Sequence, residues 1–301
     1  MSLLIVGSVA MDSIQTPWGK AERVLGGSAT YAALAARLWT RAFVVAVVGR
    51  DFPARFARVF RTDGIDGRGI DRAQGKTFFW KGRYNAHLQA TTLELDLGVF
   101  GGFRPQLIPA YRKVRHAFLG NIHPSLQSRV LKQLARPRLT AVDSREDWIQ
   151  TQRRGLLDLL RKVDLVFLND SEARLLTGVH SLVQATRALA RLGPKVAIVK
   201  KGEHGVLAAS RDSFFTLPGF PVLKVVDPTG AGDAFAGACL GYLATQPRVN
   251  WASLCRAIPY ASATASLTIE AFGPSRLSRI TRAEVEERVR AFTPLSRAVV
   301  V

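Results

Sequence analysis

The sequence predicts an α/β fold in three α/β/α layers: a mainly parallel central sheet between helices, with a small β lid projecting from it. Short β-branched apolar runs alternate with helical patterns along most of the 301 residues, the order that builds a parallel sheet covered on both faces. The runs are apolar throughout, as strands buried on both faces are. Two segments outside the alternation have a period of two and no helical stripe.

In chain order, LLIVGS (3–8) is the first buried strand, and the first lid segment, 13–25, follows it directly. A helix over Ser28–Leu38, the strand FVVAVVG (43–49) and a helix over Pro53–Asp63 come next. Gly64, Gly67 and Gly69 in DGIDGRGID read as a turn-rich helix exit; with no helix after them they make a poor dinucleotide fingerprint. The second lid segment is KTFFWKGRYNAHLQATTLELDLGVF (76–100), and both lid segments read as antiparallel strands. The strands AFLG (117–120), LTAVD (139–143), LVFLN (165–169) and VAIVK (196–200) then alternate with helices over Leu126–Ala135, Gln152–Lys162, Glu172–Leu176 and Ser181–Leu192. After Gly230 the chain is mostly helical, over Ala231–Ala244, Trp251–Thr268 and Arg282–Phe292, and the terminal RAVVV reads as a frayed tail. No repeat, low-complexity tract or linker divides it, so 1–301 is expected to be one domain.

Composition narrows the class. No apolar run reaches the roughly 18–20 residues that span a bilayer, and MSLLIVGSVAMD lacks the basic leader of a signal peptide. Cys239 and Cys255 lie in apolar helical patterns without a CxxC pair, which argues against a disulfide or Cys-based zinc site and for a reducing cytoplasm. The five histidines show no i, i+4 spacing or cluster for a metal. The net charge of +19 attracts polyanions, but the 42 basic residues are spread out, with no run longer than a pair such as Lys200-Lys201. They read as a solvated surface that helps attract a phosphorylated ligand, not as a nucleic-acid interface.

In α/β sheets ligands bind beyond the carboxyl ends of the strands, where Asp12, Asn121, Asp143 and Asn169 fall. The stretch VVDPTGAGDAFAGACLGYLA (225–244) carries more chemistry. A helix start has unpaired N–H groups and partial positive charge. Glycine there lets another group approach the backbone, so Gly230-Ala231-Gly232 is a natural seat for an anion, most often phosphate. Asp233 beside it has two readings on the loop alone: a carboxylate that takes the proton of an attacking hydroxyl, or one that merely complements the helix dipole.

DPTGAGDAFAGACLGYLA resembles the carboxyl-terminal signature of the PfkB, or ribokinase-like, carbohydrate kinase family. Gly26-Gly27 in LGGSATYAALAARL resembles its amino-terminal glycine pair, NDSEARLLTG (169–178) its N-x-x-E stretch, and KKGEHGV (200–206) its nucleotide loop. These matches cover most of the chain in the family's order. The resemblance implies a ribokinase-like fold and an ATP-dependent phosphotransferase acting on a hydroxyl of a sugar-like small molecule. Asp233 then matches the general base, and Gly230, Ala231 and Gly232 the anion hole. Asn169 and Glu172 match the pair near Mg²⁺ and the phosphates, acting on the metal through water. Lys201, Gly202 and Gly205 flank the nucleotide, with His204 on the surface of that loop, and Ser262 falls near the adenine. Asp227 lies where some relatives bind a monovalent cation such as K⁺; capping a turn is its other reading.

On the acceptor side, Asp12 matches an acid that holds sugar hydroxyls, and Gly26 and Gly27 let backbone approach the substrate and hinge the lid. Arg83 and Tyr84 on the lid have two readings, acceptor contacts or ordinary exposed strand residues, and Asn121 at a strand end lies near a position that contacts sugar in relatives. The chain departs from the family where N-x-D is replaced by Ala10-Met11-Asp12 and where a helix Asn is replaced by Tyr31. Both changes remove amides that read sugar hydroxyls, which opens the pocket to a polyol or a nucleoside; Phe78, Phe79 and Trp80 would suit stacking on a base. The alternatives are a nucleoside kinase of the same fold and a ligand-binding regulator without turnover, against which the intact Gly-Ala-Gly-Asp argues. A homodimer through the lid is also expected from the resemblance.

Overall fold

Every one of the six apolar runs becomes a strand, and together they form the parallel centre of one sheet in the computed structural model, which describes residues 1–295. The strands are β1 (Ser2–Val6), β2 (Ala10–Thr16), β3 (Gly19–Gly26), β4 (Arg41–Gly49), β5 (Ile65–Ala73), β6 (Phe79–Tyr84), β7 (Ala90–Asp96), β8 (His116–Leu119), β9 (Leu139–Asp143), β10 (Leu165–Asn169), β11 (Val196–Lys200), β12 (Val206–Ser210) and β13 (Phe214–Leu217). The large sheet has the order β13-β12-β11-β10-β9-β8-β1-β4-β5. Only β12 and β13, at one edge, run antiparallel to their neighbours.

Strand order reverses where β1 lies between β8 and β4, and such a switch point opens a crevice at the carboxyl ends of the strands. Successive residues of β1 serve opposite faces. Leu3 and Ile5 join one apolar core with the helices Ser28–Ala36, Ala231–Thr245 and Trp251–Thr268. Leu4 and Val6 join the other, with the helices Pro124–Leu131, Arg153–Leu160, Asp170–Thr177 and Leu182–Arg191.

Two of these helices deliver the site. Ser28–Ala36 is buried at every position, as a helix apolar all round must be. Ala231–Thr245 lies close against it because Gly237 and Gly241, one turn apart, sit on the backbones of Ala32 and Ala36; a Cβ would collide at Gly237 and be tightly crowded at Gly241. The amino ends of the two helices, which follow Gly26-Gly27 and Gly230, are held together by that contact.

The lid is a second sheet of order β3-β2-β6-β7. It departs from the sequence reading in its details. The first lid segment starts at Ala10, so Asp12 belongs to a lid strand and not to the end of β1. The central β2–β6 pair is parallel, because β6 enters the lid from β5 on the same side as β2 leaves β1; the outer pairs are antiparallel. The stretch read as a helix exit is the edge strand β5, which pairs with β4 through a bulge. Its Gly69 passes so close to Val44, Val45 and the Tyr111 ring that a side chain there would clash. The strands β12 and β13 and the short helix Glu146–Thr151 had no counterpart in the sequence reading. The terminal RAVVV lies outside the described residues. Among the described residues no helix is long and apolar enough to cross a membrane.

Candidate active site

The loop Asp227–Gly230 carries the chain into the helix Ala231–Thr245. Asp227 is 1% exposed and pins this loop: Oδ1 accepts from the Thr229 amide at 2.9 Å and Oδ2 from the Gly273 amide at 2.8 Å. Gly230 is the N-cap at φ 75°, a left-handed conformation that disfavours side chains. The Ala231 amide turns to the Pro228 carbonyl at 3.3 Å. Among the described residues no backbone carbonyl takes the amides of Gly232 and Asp233, so both are available to an anion. Asp233, half-buried, stands in the first helical turn.

Two groups of side chains meet at Asp233. On one side are Asp143 at the end of β9, Glu172 and Lys200 at the end of β11. Lys200 Nζ lies 2.7 Å from Asp143 Oδ2, a pair whose side chains are 17% and 7% exposed. Burial, then the Asp143 charge, push the Asp233 carboxyl up to about 7 against the pull of Lys200. The same two causes raise Glu172 to about 7. The sequence reading quotes Lys200 within KKGEHGV but gives the role beside the nucleotide to its neighbour Lys201.

On the other side are Asp12, Tyr31, Tyr84 and Asp227. Asp12 is 4% exposed and lies across Gly26, with no room for a Cβ between them. Burial raises it to about 8, the Asp227 charge adding to this and the Gly27 amide opposing it, with a smaller upward push from Asp233. A carboxyl in this state is largely protonated near pH 7 and can donate as well as accept. Tyr31 is fully buried, its ring rests on Gly230, and among the described residues its hydroxyl has no hydrogen-bond partner. Burial, then the charges of Asp227 and Asp12, push that hydroxyl above the usual tyrosine range. Tyr84 reaches from the lid and its hydroxyl accepts from Thr229 Oγ1 at 3.0 Å.

Asn169 and Glu172 form a capping box on the helix Asp170–Thr177. Asn169 Oδ1 accepts from the Glu172 amide at 2.8 Å, and Glu172 Oε2 accepts from the Asn169 amide at 2.7 Å. The spacing N-x-x-E before a helix is a legible cap signal that the sequence reading passed over. One Glu172 oxygen is left for a ligand. Among the described residues no group of three His, Cys, Asp or Glu could hold a metal ion alone. Mg²⁺ nevertheless fits, because it is ordinarily held by one or two carboxylates with waters and phosphate oxygens.

Gly27 is the N-cap of Ser28–Ala36 at φ 93° and crosses Ser8 closely. Gly202 and Gly205, both at positive φ, close a turn in which the Lys201 amide donates to the Gly205 carbonyl at 2.8 Å. Ser262 is half-buried on Trp251–Thr268. Arg83 is exposed, with Nε donating to Gln15 Oε1 at 3.2 Å; alternation along β6 puts it on the opposite face from Tyr84. Asn121 Oδ1 accepts from Trp148 Nε1 at 2.9 Å.

The family model for pfkB family carbohydrate kinases matches residues 2–281. A cytidine kinase of Thermococcus kodakarensis is 30% identical over 256 residues, 82% of this chain and 90% of that protein. The nucleoside kinase of Burkholderia thailandensis in complex with inosine matches at a TM-score of 0.79 and 21% identity, covering 97% of this chain and 98% of its own. A putative ribokinase II from E. coli in complex with ATP and Mg²⁺ matches at a TM-score of 0.79 and 20% identity, covering 96% and 99%. At such identities the structures speak for the fold, which is that of the ribokinases. The family model, the relative over most of both chains and the shared fold agree: the chain belongs to the PfkB family of carbohydrate kinases.

Proposed function

We propose that the protein transfers the γ-phosphoryl group of ATP to a hydroxyl of a sugar-bearing acceptor, and that this acceptor is a nucleoside before a free sugar. The observation that carries this reading is the position of Asp233, shared between the helix mouth, where Lys200 stands at Gly232, and a buried polar pocket under the lid. In the first pocket the Gly232 and Asp233 amides would receive the γ-phosphate. In the second, Asp12, Tyr31 and Tyr84 offer polar groups to an acceptor. The acceptor oxygen attacks phosphorus, its proton passes to an Asp233 carboxylate oxygen, and the bond from phosphorus to the β-phosphate oxygen breaks to release ADP. A base with a pKa of about 7 suits this task.

When bound, Mg²⁺ neutralises phosphate charge; Asn169 and Glu172 would hold it through water. Lys201, Gly202, Gly205 and Ser262 would border the nucleotide. Asp227 is buried with amide donors and, among the described residues, no basic partner. An uncompensated buried charge is costly, so K⁺ would have a use there, and activity in K⁺ against choline tests this. The nucleoside preference rests on Ala10 and Tyr31, which replace amide-bearing residues, and on the cytidine kinase as a relative along most of the chain. Leu93, Leu95 and Leu97 on and beside β7 are 44%, 51% and 46% exposed; pairing of two lids would cover them, and sedimentation tests the dimer. A cytoplasmic location goes with the use of ATP, and the whole of 1–301 acts as one kinase unit in this reading.

The test is an acceptor panel of cytidine, inosine, adenosine, ribose, fructose and cyclic polyols with MgATP. A nucleoside is expected to give the highest kcat/KM. Phosphorylation of ribose or fructose in preference to every nucleoside overturns the acceptor assignment, and no ADP formation with any acceptor overturns the kinase.

A further inference from the structure

We infer that a cavity along the edge strand β5 is a binding site for a small organic phosphate, an apolar ring or chain bearing one phosphoryl group. The inference stands apart from the kinase reading, because none of the residues assigned to nucleotide, metal or acceptor lines this cavity. It is bounded by β5, the end of β4 and the segment made of the helix Ala54–Ala57 and the 3-10 helix Arg58–Arg61. Its volume of about 410 Å³ falls in the roughly 300–1,000 Å³ range of small-molecule sites. Val48, Phe52, Phe60, Ile65 and Ile70 supply an apolar wall, and all but Ile70 are buried.

The charge comes from Arg41, Arg61, Arg68 and Arg72. Four of the twelve lining residues are thus arginine, against 32 of 301 in the chain, so composition alone does not account for the cluster. Asp66 is the one acid in the lining, and it is already engaged. Its Oδ2 lies 2.6 Å from Arg68 Nη2 and 3.3 Å from Arg41 Nη2, and its Oδ1 accepts from the Tyr111 hydroxyl at 2.8 Å. Arg72 reaches only the carbonyls of Arg50 and Phe52, at 3.4 Å each. Among the described residues the Arg61 guanidinium has no hydrogen-bond or ion-pair partner. Four guanidiniums against one carboxylate leave the wall in need of an anion. A guanidinium presents a planar fork of donors that matches two oxygens of a carboxylate or phosphate. A carboxylate fills one fork, whereas a phosphate monoester carries close to two negative charges and three terminal oxygens, enough for Arg61 and Arg72 together. The apolar wall asks for a body that inorganic phosphate lacks. Arginines that only guard a sheet edge against pairing need no such cavity behind them.

The experiment titrates phenyl phosphate into the full chain by calorimetry, in buffer free of phosphate and sulfate, with inorganic phosphate and benzoate as comparisons. It is repeated with Arg61→Ala, Arg72→Ala and Arg154→Ala; Arg154 is exposed on the helix Arg153–Leu160, away from the cavity, and its loss removes the same charge. Phenyl phosphate is expected to bind at one site per chain, at least about fivefold tighter than inorganic phosphate or benzoate. Loss of a charge-assisted bond predicts that Arg61→Ala and Arg72→Ala each weaken it by about tenfold, with Arg154→Ala within about twofold of wild type. Should Arg72→Ala fail to fold, Arg61→Ala decides alone, since that guanidinium holds no other part of the fold. Absence of saturable binding, or equal affinity for inorganic phosphate, overturns the site. So does an equal loss in all three variants, which would mark a response to net charge alone. Benzoate binding as tightly as phenyl phosphate overturns the choice of phosphate. Displacement of phenyl phosphate by MgADP would put it at the helix mouth and also overturns the site. Neither arginine belongs to the site around Asp233, so these outcomes are independent of whether the protein turns over ATP.

Discussion

The Tyr31 ring packs against the Cα of Gly230, so the first core helix and the mouth of the Ala231–Thr245 helix share one contact surface. Gly230 is constrained twice there, by φ 75° and by the ring. Gly230→Ala is predicted to destabilise the fold by about 2–4 kcal/mol, from backbone strain and overpacking together, and to abolish most turnover. Urea unfolding with an assay of the remaining soluble protein measures both. Gly232→Ala is the comparison: its Cβ meets only the end of the flexible Lys200 side chain, so stability should hold and turnover should not.

Asp12 gives a pH-dependent stability of definite sign. Its carboxyl is raised from 3.8 to about 8 by burial first and by Asp227 second. The folded chain thus keeps a proton that the unfolded chain releases between these values, and stability falls as pH rises through that window. The contribution is full below the unfolded pKa and lost above about 8. Asp12→Asn should therefore stabilise the protein at pH 8.5 by on the order of 2 kcal/mol, with the gain shrinking as pH falls to 5. Denaturant midpoints at the two pH values decide it; an equal gain at both would show that Asp12 titrates normally in the fold.

The capping box separates two functions of Glu172. Glu172→Gln retains an oxygen for the Asn169 amide, so the helix Asp170–Thr177 keeps its cap while the carboxylate charge is lost. The Mg²⁺ concentration for half-maximal activity is expected to rise by about tenfold with thermal stability little changed, since Mg²⁺ prefers ionised oxygen ligands. Asn169→Ala is expected to cost about 1 kcal/mol through the cap itself. An unchanged metal requirement in Glu172→Gln would place that carboxyl away from the ion.

Tyr84 and Thr229 join the lid to the phosphate loop through a 3.0 Å hydrogen bond between their hydroxyls. Tyr84→Phe removes it without emptying the space. Its expected effect is a rise of about three- to tenfold in the acceptor KM, as for a lost neutral hydrogen bond, with the KM for ATP unchanged. Initial rates with each substrate varied in turn separate the two constants.

How much of this was legible in sequence follows from which signals are local. The six parallel strands are runs buried on both faces, and each declares itself without reference to a neighbour. The glycine loop and its helix are contiguous, so Asp233 and its amides could be read directly. Strand β5 was hidden because Gly64, Gly67 and Gly69 break its pattern, and at Gly69 the reason is a tertiary contact with Tyr111. The pairing of Lys200 with Asp143 was hidden for a similar cause, since the two lie 57 residues apart on separate strands. The burial that pushes Asp12 and Asp233 up is likewise a property of the assembled crevice. By contrast, the Asn169–Glu172 cap is local: its N-x-x-E spacing before a helix is a cap signal and a family motif at once.

Asp233, with a pKa raised to about 7, must be ionised to accept a proton, so kcat/KM should fall as pH drops below about 7. The most direct test of its role is turnover of Asp233→Asn with saturating MgATP and the best acceptor, alongside ATP affinity of the same protein. Turnover at least ~10²-fold lower with ATP affinity within about twofold of wild type is the predicted result. A variant that phosphorylates the acceptor at close to the wild-type rate would contradict the assignment of Asp233 as the base.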